Sequence, residues 1–302
     1  MDIVVSGASG MLGSALVWRL RERGDRVLTL VRRSARGGDE SRWDPDRGTI
    51  DAAAIEGADA VVHLSGAGIA ARRWNDAYKR LLVSSRLSST RTLVTALGGL
   101  TSRPKVLVSA SGIDFYGDTG DRLVDESAGR GPGFMPDLCK RWEGEAREAE
   151  SAGIRTAQLR TGMVLGPDGG ALARMLPIFR LGLGAPLGDP QGYWSWIAQD
   201  DWVGAVLHIL DGHAGGAPGL TGPVNLVSPG PVTKAEFTRA LGRALGRPTL
   251  PVSVPGFALG VGLGEMAGAV LLPSHRAVPK KLADNGYRFA HTGLDQALAT
   301  VL

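Results

Sequence analysis

Residues 2–13 read Asp2-Ile3-Val4-Val5-Ser6-Gly7-Ala8-Ser9-Gly10-Met11-Leu12-Gly13. The apolar run Ile3–Ser6 predicts a strand, and Leu12–Arg23 predicts the helix after it. Three glycines occupy the turn between them. Gly7 permits a tight reversal, Gly10 lets the backbone approach a pyrophosphate, and Gly13 lets the helix pack closely on the strand. The helix start, with Ser9, Met11 and Leu12 around it, offers free N–H groups and a favourable dipole to phosphate. Glycine spacing alone is a weak signal; a strand before it and a helix after it supply the context for dinucleotide binding. The competing reading is a packing turn that holds no ligand.

Working outward, the strand candidates are Ile3–Ser6, Val27–Val31, Ala60–Leu64, Val106–Ser109, Thr156–Arg160 and Val224–Val227. Most are continuous apolar runs, the pattern of strands covered on both faces. Helical stretches alternate with them at Leu12–Arg23, Ala77–Leu97, Pro136–Ser151 and Asp201–Leu210. This order predicts an α/β protein with a Rossmann-type, doubly wound parallel sheet. Beyond residue 230 the pattern turns mainly helical, starting with Thr233–Leu245, where Thr233 and Glu236 have capping-box spacing. The expected division is a dinucleotide-binding domain over 1–230, with 166–195 contributing to a cleft, and a smaller C-terminal substrate lobe over 231–302. Asp211–Leu220 is expected to be a connecting loop.

The second strand selects the dinucleotide. An NAD site usually places an acid about 20 residues after the glycines to hold the ribose 2′-hydroxyl. Here that position holds Arg32 and Arg33, and a guanidinium suits a 2′-phosphate. The expected cofactor is NADP(H). The alternative is a solvated pair in an arginine-rich chain, which has 28 Arg and six Lys.

Composition removes several classes. The single cysteine, Cys139, excludes a disulfide framework and multi-cysteine zinc sites. The five histidines lack metal-ligand spacing, so no metal is expected. A net charge of +4 is too diffuse for a nucleic-acid partner. The N-terminus has no signal-peptide pattern, which points to the cytoplasm. Gly256–Leu272 is apolar but carries Glu265; a buried helix is expected there, and no membrane partner. Forty-four glycines are about twice the ordinary share.

Further motifs carry a family resemblance. They are the Gly7–Gly13 turn, Asp59–Gly66, Ser109-Ala110-Ser111 with Tyr116-Gly117, Leu159–Pro167, and Trp196-Ile197 with Asp200-Asp201. In these the chain resembles the extended short-chain dehydrogenase/reductases of the NAD-dependent epimerase/dehydratase type. Arg73-Trp74 with Lys79, Ser85-Arg86, Leu138–Glu143, Trp194–Ile197, Pro223–Leu226 with Pro231–Thr233, and Val278–Leu282 narrow the likeness. They point to the uncharacterised epimerase branch with a C-terminal domain of unknown function. The resemblance implies cofactor contacts from Leu64, Ser65, Gly66, Arg86, Ser109, Arg160 and Gly162. It also implies hydride transfer at a carbinol or carbonyl carbon of a small substrate, such as a sugar nucleotide, by an oxidoreductase or epimerase. Homodimers are common in the superfamily.

The superfamily's Tyr-x-x-x-Lys pair is missing. Alignment on Glu143 puts Met135 at the Tyr position and Cys139 at the Lys position. Lys140 is one residue out of register, about 100° around the helix. The Asn position falls on Arg86, and only the serine survives, at Ser111. The candidate catalytic residues are therefore Ser111, Tyr116 and Cys139. Cys139 also belongs to an apolar stripe with Leu138, Trp142 and Ala146, the pattern of a core residue. Arg86 and Lys79 are candidates to hold a substrate anion. The tryptophans 194 and 196 are expected either to stack on a ring or to fill a lobe interface, Asp200 and Asp201 to cap a helix, and Gly169-Gly170 to form a flexible loop. The basic helix 234–247 is expected to be a solvated face. The alternative function is a non-catalytic, NADP(H)-responsive regulatory module.

Overall fold

The computed structural model describes residues 1–167, 169–212 and 219–302. The chain begins with β1 (Asp2–Ser6), α1 (Met11–Glu22), β2 (Arg26–Val31), β3 (Glu40–Asp44), β4 (Thr49–Ile50), α2 (Ala52–Ile55), β5 (Ala60–His63) and α3 (Asp76–Gly98). Next come β6 (Val106–Gly112), α4 (Phe134–Arg147), β7 (Arg155–Thr161), β8 (Met163–Leu165) and α5 (Gly170–Arg180). Then follow β9 (Tyr193–Trp194), β10 (Trp196–Ala198), α6 (Gln199–Asp211), β11 (Gly222–Leu226), β12 (Val232–Thr233) and α7 (Lys234–Ala244). The chain ends with α8 (Gly256–Leu263), α9 (Lys280–Asp284) and α10 (Leu294–Val301).

The main sheet runs β11-β7-β6-β5-β1-β2-β3-β4. β1 pairs in parallel with β2 and β5, β5 with β6, and β2 with β3. β4 alone is shown antiparallel in this sheet, returning from β3. The order reverses at β1, so the turn after β1 lies at the switch point of a doubly wound sheet, where such folds bind ligands. The apolar strands read from the sequence all form. β3 was not among them, because Glu40-Ser41-Arg42-Trp43-Asp44 has no apolar run; it buries Trp43 and Ser41 and turns its other residues outward. The Asp211–Leu220 expectation falls largely on 213–218, outside the described residues.

Contacts divide the chain into two units. The first is Met1–Ser111, Lys140–Leu159 and Val206–Val224; the second is Gly112–Cys139, Arg160–Ala205 and Asn225–Leu302. The first has a core of Val4, Leu30, Trp43, Val61, Leu93 and Leu107. The second has one core of Trp194, Trp196, Phe237, Leu241 and Leu298 and another of Ile113, Phe115, Tyr116, Val124 and Ala277.

Three local expectations change. Gly169 is the N-cap of α5, so Gly169-Gly170 opens a helix instead of a flexible loop. Gly256–Leu272 is not one buried helix. α8 covers its first eight residues and has none buried, and a π-helical turn follows at Ala267–Leu271. Trp194 and Trp196 are core residues of the second unit. Trp194 meets Phe237 edge-on with ring centroids 5.2 Å apart, and Trp196 Nε1 donates to the Gly230 carbonyl at 2.9 Å. Neither tryptophan presents a free face for stacking.

Candidate functional site

The turn after β1 is built as its glycines require. Gly7 has φ +74°, and a Cβ there would fall 2.7 Å from the Leu64 carbonyl carbon and oxygen. A Cβ on Gly13 would overlap the Gly7 carbonyl oxygen. Gly10 differs. Its backbone is extended, and a Cβ there would meet only the Gly7 oxygen, at 3.5 Å, an ordinary contact. The protein itself thus has room for a side chain at Gly10. Gly10 caps α1 with no side-chain acceptor, and the first turn of α1 carries no acid. The helix start is thus left without a side-chain cap, an arrangement suited to an anion.

A buried network fixes the strand ends behind this turn. His63 Nδ1 lies 2.6 Å from Ser6 Oγ, and its Nε2 lies 3.1 Å from Thr90 Oγ1. Thr90 already donates to the Arg86 carbonyl and accepts from Trp142 Nε1. Its one hydrogen is used, so His63 donates from Nε2 and accepts from Ser6 at Nδ1. Burial pushes the His63 pKa down to about 3, so the ring is neutral. Arg86 is buried beside it, 5.0 Å over the Trp142 ring, with its guanidinium against Gly66. Lys79 is half-buried on α3. Leu64 and Ser65 are half-buried against the turn, and Ser109 is fully buried with its hydroxyl unpartnered.

At the end of β2 the two arginines separate. Arg33 forms a two-pronged ion pair with Glu40, at 2.5 and 2.7 Å. The Arg33 guanidinium, helped by the Arg36 amide, holds the Glu40 carboxyl down to about 2. Arg32 is exposed and has no such partner.

Ser111 ends the first unit's share of β6 and donates its hydroxyl to Glu143 Oε1 at 2.8 Å. Both residues are buried. Glu143 lies on α4, and sequence reasoning used it only as an alignment mark. What would have flagged it is a carboxylate on the buried face of a helix, one residue after Trp142 and four after Cys139. Cys139 and Met135 lie on that buried face, whereas Lys140 and Arg141 are exposed. Cys139 packs with Ile113, Phe115 and Val124.

In the second unit Tyr116 is 1% exposed. Its hydroxyl donates to Asn225 Oδ1 at 2.7 Å and accepts from Arg160 at 3.0 Å. Burial raises its pKa against the opposing pull of Arg160. Arg160 stacks 3.5 Å over the Phe115 ring. Gly162 is required by packing, since a Cβ would fall 2.5 Å from the Ser195 carbonyl oxygen. Asp201, expected as a helix cap, holds the C-terminal segment instead. It accepts from the amides of Ala290 and His291 at 2.7 and 2.9 Å and faces His291 Nδ1 at 3.2 Å. Asp200 is exposed.

Fold and turn define a Rossmann-type nucleotide-binding protein of the short-chain dehydrogenase/reductase kind. Residues 3–222 match the NAD dependent epimerase/dehydratase family, and the chain belongs to that family. Residues 254–301 match a domain of unknown function, DUF1731. An epimerase family protein of Mycobacterium bovis is 43% identical over 296 residues, covering 98% of this chain and 96% of that protein. The human epimerase family protein SDR39U1 is 32% identical over 305 residues, covering both chains fully. A crystal structure of human SDR39U1 with NADPH superposes with a TM-score of 0.89 at 31% identity, covering 100% of this chain and 99% of that one. A nucleoside-diphosphate sugar epimerase of Corynebacterium glutamicum gives a TM-score of 0.79 at 30% identity, over 99% of this chain and 57% of that one. Among the described residues no helix is long and apolar enough to cross a membrane.

Proposed function

We propose that the protein binds NADP(H) and acts as an oxidoreductase or epimerase on a small carbinol or carbonyl substrate. The observation that carries the cofactor assignment is Gly10, where the chain has room for a side chain and carries none. The human relative crystallised with NADPH supports the same reading. In this reading Gly7, Ser9, Gly10, Met11 and Leu12 hold the pyrophosphate, and Leu64, Ser65 and Gly66 line the turn. Arg32 meets the 2′-phosphate. Arg33 acts through Glu40, whose ion pair shapes the loop that presents Arg32. Arg86 and Ser109 support the cofactor side from within the first unit, and Arg160 and Gly162, in the second unit, are cofactor contacts that the family resemblance implies. Residues 1–230 would serve the cofactor, and 231–302, with 166–195, the substrate. A sugar nucleotide is the substrate class we favour, in line with the Corynebacterium relative.

The bound cofactor supplies hydride exchange at carbon. The chain's own residues must move the proton at oxygen. Ser111 Oγ would take the proton of a substrate hydroxyl while passing its own hydrogen to Glu143 Oε1 along the 2.8 Å bond. Tyr116 and Cys139, the other candidates from the sequence, would serve the packing of the second unit. A second reading, a non-catalytic NADP(H)-responsive module, is favoured by the burial of both.

Two measurements test this. Titration of NADPH fluorescence should show binding that Arg32→Gln weakens about tenfold relative to NADH, the loss of one charge-assisted contact. Unchanged preference would remove the phosphate assignment. Turnover on a carbonyl and sugar-nucleotide panel should fall at least about 100-fold in Glu143→Gln with NADPH affinity retained. Tight NADPH binding with no turnover on any substrate would favour the module.

A further inference from the structure

The helix expected to be buried forms an exposed apolar surface. Phe257 and Val261, four residues apart on one face of α8, are 79% and 76% exposed. Leu250, Val252 and Leu263 are exposed near them in sequence, and Ile178, Leu181 and Leu183 are exposed at the end of α5. Backbone bonds join the two segments. Leu250 N donates to Gly184 O at 2.7 Å, Val254 N to Pro186 O at 2.8 Å, and Gly188 N to Val254 O at 2.9 Å. Isolated exposed leucines need no explanation, but a joined set of this size does.

Arginines cluster in the segments that build this surface, and acids that include Asp189, Glu236 and Glu265 lie at the ends of those segments in sequence. Residues 169–188 and 237–264 contain Arg174, Arg180, Arg239, Arg243 and Arg247, and no Asp, Glu or Lys. Arg239, Arg243 and Arg247 line a groove of about 320 Å³ that ends at Thr249, next to Leu250. Arg243 is paired with Asp295; Arg180 and Arg247 have no ion-pair partner among the described residues.

We propose that this face docks on an anionic lipid bilayer. Phe257, Val261, Val252 and Leu181 enter the boundary between headgroups and acyl chains, and the arginines meet lipid phosphates. Two arguments select this occupant. A second copy across a two-fold axis would set Arg180 and Arg247, which have no ion-pair partner among the described residues, against the same charges of the other copy. A partner helix needs an apolar groove, whereas Phe257 and Val261 project from a short helix. A bilayer offers apolar depth and diffuse negative charge together. With eight residues α8 cannot span, so the contact is peripheral. This proposal departs from the expectation of no membrane partner.

The test is co-sedimentation of the full-length protein with vesicles of phosphatidylcholine alone or with added phosphatidylglycerol. Binding is expected only with phosphatidylglycerol, and it should weaken as salt rises. Arg180→Gln and Arg247→Gln should each reduce partitioning about fivefold. The double variant Phe257→Ser/Val261→Ser should abolish it with an unchanged melting temperature. The proposal falls if the wild type stays in the supernatant with both vesicles, binds both equally, or binds as well after the double substitution. It also falls if sedimentation shows a dimer that the double variant converts to monomer, because a second copy would then cover the face.

Discussion

Gly10 and Gly13 look alike in the sequence and differ in what they do. A methyl at Gly13 strikes backbone that cannot move away, so Gly13→Ala should cost about 2 kcal/mol in urea denaturation. A methyl at Gly10 meets only the Gly7 oxygen, in ordinary contact, so Gly10→Ala should stay within about 0.5 kcal/mol of wild type. The same Gly10 variant should bind NADPH at least about tenfold more weakly, read by fluorescence titration. Equal effects on both quantities at both positions would contradict the geometry. His63 makes a second residue-level prediction. Its folded pKa, about 3, lies below its ordinary value near 6.5, so the unfolded chain takes up the proton first. The stability it contributes is complete above pH 6.5 and is lost as pH falls toward 3. Between pH 7 and 5.5 the loss is about 1.3 kcal/mol, and His63→Gln should flatten that part of the stability profile.

Among the elements, α7 begins with a complete capping box: Thr233 Oγ1 accepts from the Glu236 amide, and Glu236 accepts from the Thr233 amide. Thr233→Ala should cost about 1 kcal/mol in thermal or urea unfolding. That motif was legible because capping is written in four consecutive residues. The parallel strands were legible for a similar reason, since burial on both faces leaves a continuous apolar run. β3 was not, because its pairing with β2 comes from tertiary position and not from its own composition. α8 was misread because apolar residues on an exposed helix and on a buried one spell the same pattern. The Ser111–Glu143 bond was also invisible, because 32 residues separate its partners and only the fold joins them. Lys140 shows the reverse. Its place one step from the lysine register was readable, and its exposure follows from that step.

At the scale of the molecule, Asp201 holds the carboxyl-terminal segment with two backbone amides and the His291 ring. Asp201→Asn would turn an amide group toward one of those N–H groups. It should cost about 2 kcal/mol and make the segment after Lys281 more sensitive to limited proteolysis, with cleavage mapped by mass spectrometry. Cleavage no faster than in the wild type would show the clasp to be dispensable. The fold class and the glycine turn after β1 were readable before any coordinates. The arrangement of the chain into two interleaved units was not, since neither follows a single stretch of sequence.

That interleaving matters while the protein is being made. The chain passes between the two units at residues 111/112, 139/140, 159/160, 205/206 and 224/225. The first unit is therefore incomplete until residue 224 has left the ribosome. During that interval β1, β5 and β6 are finished while neighbours required to cover them do not yet exist. A nascent chain of this design must delay its final collapse, and translation pauses before residue 224 would lengthen the time its apolar strands spend uncovered.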